Sequence, residues 1–121
     1  MGLGRLDAAL VTVEKALATA EHSGERCSIP ELLRIKGEAL FRHAATESMS
    51  AAEGCFFGAI ALAREQEALF WELRAALSLA RMRAKQNRQD EGKRILASVY
   101  DRFTEGFETT DLLSARDLLD A

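Results

Sequence analysis

Arg74 and Arg81 stand seven residues apart, so on a helix their guanidinium groups stack along one face. A guanidinium is a planar fork that grips a carboxylate through two hydrogen bonds. That is chemistry for holding an acidic segment, not for turning over a substrate. The other reactive side chains form no catalytic pattern. His22, Cys27, His43 and Cys55 are the soft metal ligands, and no two of them stand at helical or knuckle spacing. Gly2-Leu3-Gly4 begins like a dinucleotide fingerprint, but Asp7 stands where the third glycine belongs and no strand is predicted before it. No Gly-x-x-x-x-Gly-Lys loop occurs, no serine sits in a nucleophile elbow, and no helix-terminal cysteine has a base nearby. Glu65 and Glu67 face different directions on a helix, so they read as solvated charges rather than an acid–base pair. Cys55, beside Phe56, reads as a buried structural thiol. His22 and His43 read as dipole-favoured residues near helix C-termini. No cofactor and no metal is expected.

Helices must position these groups, and the composition favours them. Ala, Leu, Glu and Arg dominate, β-branched residues are scarce, and Pro30 is the single proline. With 121 residues, 48% hydrophobic and 29% charged, the chain has the size and mix of one soluble globular domain. A net charge of −3 excludes a global basic field, so no nucleic acid is expected to bind this chain. The apolar stretches are too short to cross a bilayer, and residues 1–5 lack a basic-then-apolar leader. A cytoplasmic protein with reduced thiols and no membrane contact is expected.

Apolar spacing predicts a first helix over 5–22, with Leu6, Ala9, Leu10, Val13, Ala16, Leu17 and Ala20 on one stripe. Gly24 supplies its left-handed cap. Pro30 suits the first turn of a second helix that fades near Thr46. Ser48 or Ser50 caps a third helix, with Glu53 as box partner of Ser50. A fourth helix runs over 68–85, a turn spans 87–90, and a fifth helix runs to about Phe103. Gly106 breaks it, and Thr109 or Thr110 caps a short last helix. Phe103, Phe107, Leu112 and Leu113 are expected to fold that helix back onto the fifth, with Asp111, Asp117 and Asp120 on its wet face.

Three segments share one register of a small residue, a larger apolar one four later, and an apolar one three after that. They are Ala9-Val13-Ala16, Ala52-Phe56-Ala59 and Gly92-Leu96-Val99, offset by 43 and 40 residues. A helical signature recurring at this period predicts a stacked array of helix pairs. The single domain 1–121 then divides into an orphan second helix (5–22), two repeats (30–66 and 68–104) and a capping helix (109–121). Such a unit cannot bury its apolar face alone. An exposed stripe of Leu6, Leu10, Val13 and Leu17 is therefore a candidate homodimer face.

These pairs resemble tetratricopeptide repeats. Gly37 and Ala80 match the small position of that family's first helix. Ala52, Phe56 and Ala59 match its second helix, and Gly92, Leu96 and Val99 match it loosely. The family's unit-end prolines are absent and the units exceed the usual ~34 residues. The resemblance implies an all-α, right-handed antiparallel helix-pair superhelix of five main helices plus a short C-terminal capping helix.

A second resemblance covers residues 31–120. Its motifs are Glu31-Leu32-Leu33-Arg34-Ile35-Lys36-Gly37-Glu38-Ala39-Leu40, then Ala59-Ile60-Ala61-Leu62-Ala63-Arg64-Glu65-Gln66. Glu72-Leu73-Arg74-Ala75-Ala76-Leu77-Ser78-Leu79-Ala80-Arg81 and Tyr100-Asp101-Arg102-Phe103-Thr104-Glu105-Gly106-Phe107 follow. In this order they are similar to the C-terminal helical-repeat region of large bacterial signalling proteins. Those parents carry a nucleotide cyclase or winged-helix DNA-binding domain and a P-loop ATPase module. The resemblance implies a non-catalytic interaction or regulatory scaffold, because cyclase carboxylates and a Walker sequence are absent here. The alternative is a part of a cyclase enzyme whose catalytic domain lies outside this chain.

In tetratricopeptide arrays the first helices of the pairs line the groove. Counted from Gly37 and Ala80, the groove positions are Glu31, Arg34, Glu38 and Phe41, then Arg74, Leu77, Arg81 and Ala84, with Lys85 at the rim. The expected partner is a protein or peptide segment, acidic or extended, including other domains of the parent. The competing reading pairs these arginines with Glu38, Glu72 or other neighbours as a solvated face. Trp71 either anchors an interface or packs under the 64–68 turn.

Overall fold

A computed structural model describes residues 2–24, 28–43 and 46–120, with side chains described for 10–24, 28–42 and 49–120. The described residues form six helices: α1 (Gly2–Ser23), α2 (Ile29–His43), α3 (Thr46–Glu65), α4 (Leu69–Lys85), α5 (Gln89–Tyr100) and α6 (Thr110–Asp120). No strand occurs among the described residues.

The boundaries follow local chemistry. Gly24 takes the left-handed conformation at φ +81° and ends α1, as its lack of a Cβ allows. Helix α3 starts at Thr46, earlier than expected, so Ser48 and Ser50 lie inside it and do not cap it. Glu53 bonds Arg83 instead of serving a capping box. The α3–α4 and α4–α5 turns are built alike and use no glycine. The Ala68 N–H donates to the Ala63 carbonyl at 2.8 Å and the Glu67 N–H to Arg64 at 3.1 Å. Twenty residues on, Arg88 donates to Arg83 at 2.8 Å and Asn87 to Ala84 at 3.2 Å. Both are Schellman turns, with Glu67 at φ 57° and Asn87 at φ 60° in the left-handed position. Helix α5 stops at Tyr100, short of the expected Phe103.

Consecutive helices are antiparallel. On α2 and α3, Gly37 faces Phe56 and Leu33 faces Gly58. On α3 and α4, Glu53 meets Arg83 and Arg64 meets Glu72. On α4 and α5, Ala80 faces Gly92. Helices α2, α4 and α6 form a row, α2 touching α4 and α4 touching α6. Within the row α2 and α4 run parallel at a constant register: Glu31 meets Arg74, Arg34 meets Ser78, and Phe41 meets Lys85. Helix α3 packs on both α2 and α4, and α5 on both α4 and α6. Among the described residues α1 touches α2 alone.

The shared small–large–small register is the seam of this packing. Ala52, Phe56 and Ala59 are fully buried, as are Leu96 and Val99 to within 1%. A Cβ on Gly37 would stand 2.6 Å from the Phe56 ring, and one on Gly92 would stand 3.0 Å from the Ala80 backbone. These two glycines let the helices close to backbone distance. In the first copy of the register, Val13 is buried and Ala16 half-buried, while the side chain of Ala9 lies outside the described residues. Helix α4 lies at the centre and is buried nearly all round, ten of its 17 residues losing their exposure. Helix α6 has 11 residues against 12 for α5 and lies beside α4 in the row. Leu112 and Ala115 carry its packing, whereas Leu113 and Phe107 stay exposed. The Phe107 ring still reaches Tyr100, at 5.8 Å between centroids.

Candidate functional site

The face formed by α2, α4 and α6 gathers the charged side chains picked out by spacing. At its start, Glu31, Arg74 and Asp111 form a ladder of alternating charge across the three helices. Arg74 Nη1 forms an ion pair with Glu31 Oε2 at 2.7 Å, and its Nε stands 3.5 Å from Asp111 Oδ2. Glu31 also receives a two-pronged grip from Arg34, at 2.7 and 2.9 Å. Arg34 reaches across to the Ser78 hydroxyl at 3.3 Å, and Glu38 lies 4.0 Å away. The hydrogen bond to Glu31 holds the Arg34 guanidinium above its ordinary pKa, against the opposing effect of burial. Arg74 also covers the Trp71 ring at 5.8 Å, and Trp71 packs edge-on to Phe70.

Two of the arginine forks are thus engaged by this chain's own acids. The arginines pair with neighbouring acids, as the competing reading expected, Arg34 with Glu31 and Glu38. Arg74 takes Glu31 and Asp111, not Glu38 or Glu72, and Asp111 is half-buried rather than wet. Leu77, at 3% exposure, is a core residue and no groove lining. Further along the face the picture opens. Arg81 is exposed, and Lys85 stands over the Phe41 ring at 5.7 Å. Beyond them lies an open pocket of about 660 Å3, lined by Ala80 and Ala84 of α4, Leu118 of α6 and, for the most part, the polar residues of the turn and start of α5.

Two charges on α4 are buried, Glu72, read from sequence as part of a solvated face, and Arg83, which the groove count did not include. Glu72 is fully buried and is clamped by Arg64 at 2.8 and 3.0 Å and by Arg102 at 2.9 Å. It ties the end of α3, the first turn of α4 and the turn after α5 together. Arg83, 3% exposed, donates to Glu53 at 2.8 Å and Gln86 at 3.0 Å and lies 6.0 Å from the Phe57 ring. Both are pairings between helices, 8 to 30 residues apart, which no local pattern reports.

The remaining sites are dispersed. Glu14 bonds Lys36 at 2.8 Å between α1 and α2, and that hydrogen bond holds the Glu14 carboxyl below the usual range. Cys55 is half-buried, and burial pushes its thiol pKa up, away from a reactive thiolate. Cys27 and the side chain of His43 lie outside the described residues, and His22 is exposed on the last turn of α1. Among the described residues no His, Cys, Asp and Glu side chains gather as a metal site. Of the α1 stripe, Val13 is buried, Leu10 and Leu17 are half-buried, and the Leu6 side chain lies outside the described residues. Among the described residues no helix is long and apolar enough to cross a membrane. No family model, curated protein or solved structure matches this chain.

Proposed function

We propose that this chain is a tetratricopeptide-like interaction or regulatory scaffold, a non-catalytic domain that presents the α2–α4–α6 face to a protein or peptide segment. The observation that carries the reading is the register of the row. Positions 43 or 44 residues apart meet side by side at Glu31–Arg74, Arg34–Ser78 and Phe41–Lys85. That is how stacked repeats lay equivalent helices against one another. The close approaches at Gly37 and Gly92 support the same reading. On sequence resemblance the parent is a bacterial signalling protein with a cyclase or DNA-binding output domain, and the partner includes its other domains.

The open cations Arg81 and Lys85 are the part of the face left for an acidic segment, since Arg34 and Arg74 are held within the chain. Calorimetric titration with an acidic octapeptide and with its lysine counterpart tests this. The scaffold reading expects the acidic peptide to bind, and Arg81→Glu with Lys85→Glu to weaken it about tenfold. Equal binding of both peptides, or of neither, contradicts it.

A second reading is a homodimer through residues 5–22. It is favoured by α1 touching only α2 among the described residues; Val13 of the expected stripe is buried against the chain itself, and Leu10 and Leu17 are half-buried. Light scattering on the wild type and Leu10→Glu separates the two readings: a dimer lost in the variant supports self-association.

A further inference from the structure

The α2–α4 seam contains its own template for a guest in the neighbouring α4–α6 seam. Phe41 lies on the α4-facing side of α2, half-buried against the core, with Lys85 over its ring at 5.7 Å. The residue 43 positions on is Ala84, which faces α6. Where an aromatic ring fills the first seam, a methyl group leaves the second open. The opening is the cavity of about 660 Å3, within the usual size of a ligand site.

We propose that this cavity receives an aromatic side chain of a partner peptide, taking the place in the α4–α6 seam that Phe41 takes in the α2–α4 seam. This deepens the scaffold reading and rests on it. The wall chemistry fits such a guest. Ala80, Ala84 and Leu118 offer apolar contact. Arg88 and Lys93 are balanced by Asp90 and Glu91 around the same cavity, so a neutral ring is matched better than an anion. Arg88 itself is gripped by Glu91 through both prongs of its guanidinium. Asn87 and Gln89 at the edge carry carboxamides suited to a peptide backbone. The exposed Arg81, on the same helix as Ala84, then faces the acidic flank of the segment.

The test is a nitrogen–proton NMR titration of the whole chain with N-acetyl-phenylalaninamide, and with N-acetyl-alaninamide as the control. The expected result is saturable shifts at Ala80, Ala84 and Leu118 with the phenyl probe and none with the alanyl probe. Ala84→Phe places the chain's own ring in the seam and should reduce probe affinity about tenfold. Should that variant fold poorly by circular dichroism, Leu118→Ala serves in its place, with the same loss expected. Absence of saturable shifts, or shifts unchanged in the folded variant, overturns the proposal. Failure of the two readings is distinguishable: acidic-peptide binding by a chain that gives no saturable shift with the phenyl probe removes the aromatic pocket and leaves the scaffold standing.

Discussion

Glu31 and Arg74 occupy equivalent places on α2 and α4, 43 residues apart, and their side chains meet at 2.7 Å. Arg74 passes the ladder on to Asp111 of α6. The charge sign alternates along the row, so each helix finds an opposite charge on the next at the same height. Both side chains of the first rung are largely shielded from water, at 31% and 19% exposure, which makes the pair stronger than a free surface ion pair. A double-mutant cycle of Glu31→Ala and Arg74→Ala should give a coupling of about 1 kcal/mol. Coupling near zero would show that the rung contributes only geometry.

Gly37→Ala should destabilise the fold despite the higher helix propensity of alanine. The added methyl would stand 2.6 Å from the fully buried Phe56 ring, so the ring or the helix must shift. Overpacking costs about 1–3 kcal/mol and outweighs the ~1 kcal/mol gained in propensity. Denaturant unfolding measures the balance, and Phe56→Leu in the same background should restore part of the loss. A more stable Gly37→Ala would mean that α2 and α3 do not approach closely.

Glu67→Gly and Asn87→Gly should both stabilise. Each native residue holds a left-handed φ without losing its turn hydrogen bonds. Glycine removes that strain, for a gain of about 0.5–1 kcal/mol, larger at Glu67 because asparagine tolerates the conformation better. Thermal melts of the two variants check the order.

Acid should weaken the α3–α4 contact through Glu53. The hydrogen bond from Arg83 holds the Glu53 carboxyl below its ordinary 4.5. The folded state therefore favours the carboxylate, so this contribution is fully present above about pH 4.5 and is lost as pH falls below it. Glu53→Gln should flatten that limb of a stability-against-pH curve. It should also cost about 1–2 kcal/mol at neutral pH, because Arg83 stays buried without its counter-charge while water still reaches position 53. An unchanged acid limb would place the titration elsewhere.

Much of this architecture was legible in the residue pattern, and the reason is packing. Gly37, Ala52, Phe56, Ala59, Gly92, Leu96 and Val99 sit where helices touch, and close contact demands small and large residues at fixed steps. The site was legible only in part. Groove counting singled out Arg34 and Arg74, but could not show that Arg74 would be taken by Glu31 and Asp111, since those pairs cross between helices. Glu72 was read as part of a solvated face and Arg83 was missed, because α4 is enclosed on several sides, whereas a helical stripe argument assumes one polar face. The contrast between Phe41 and Ala84 carries meaning only after α2 and α4 are set in register.

The most direct test of the scaffold reading is chemical-shift mapping of the acidic octapeptide on the isotopically labelled chain. The account predicts saturable shifts clustered at Phe41, Arg81 and Lys85 on the α2–α4 face, with α1 and the far side of α3 silent. Shifts confined to α1, or spread evenly with no saturation, would contradict it.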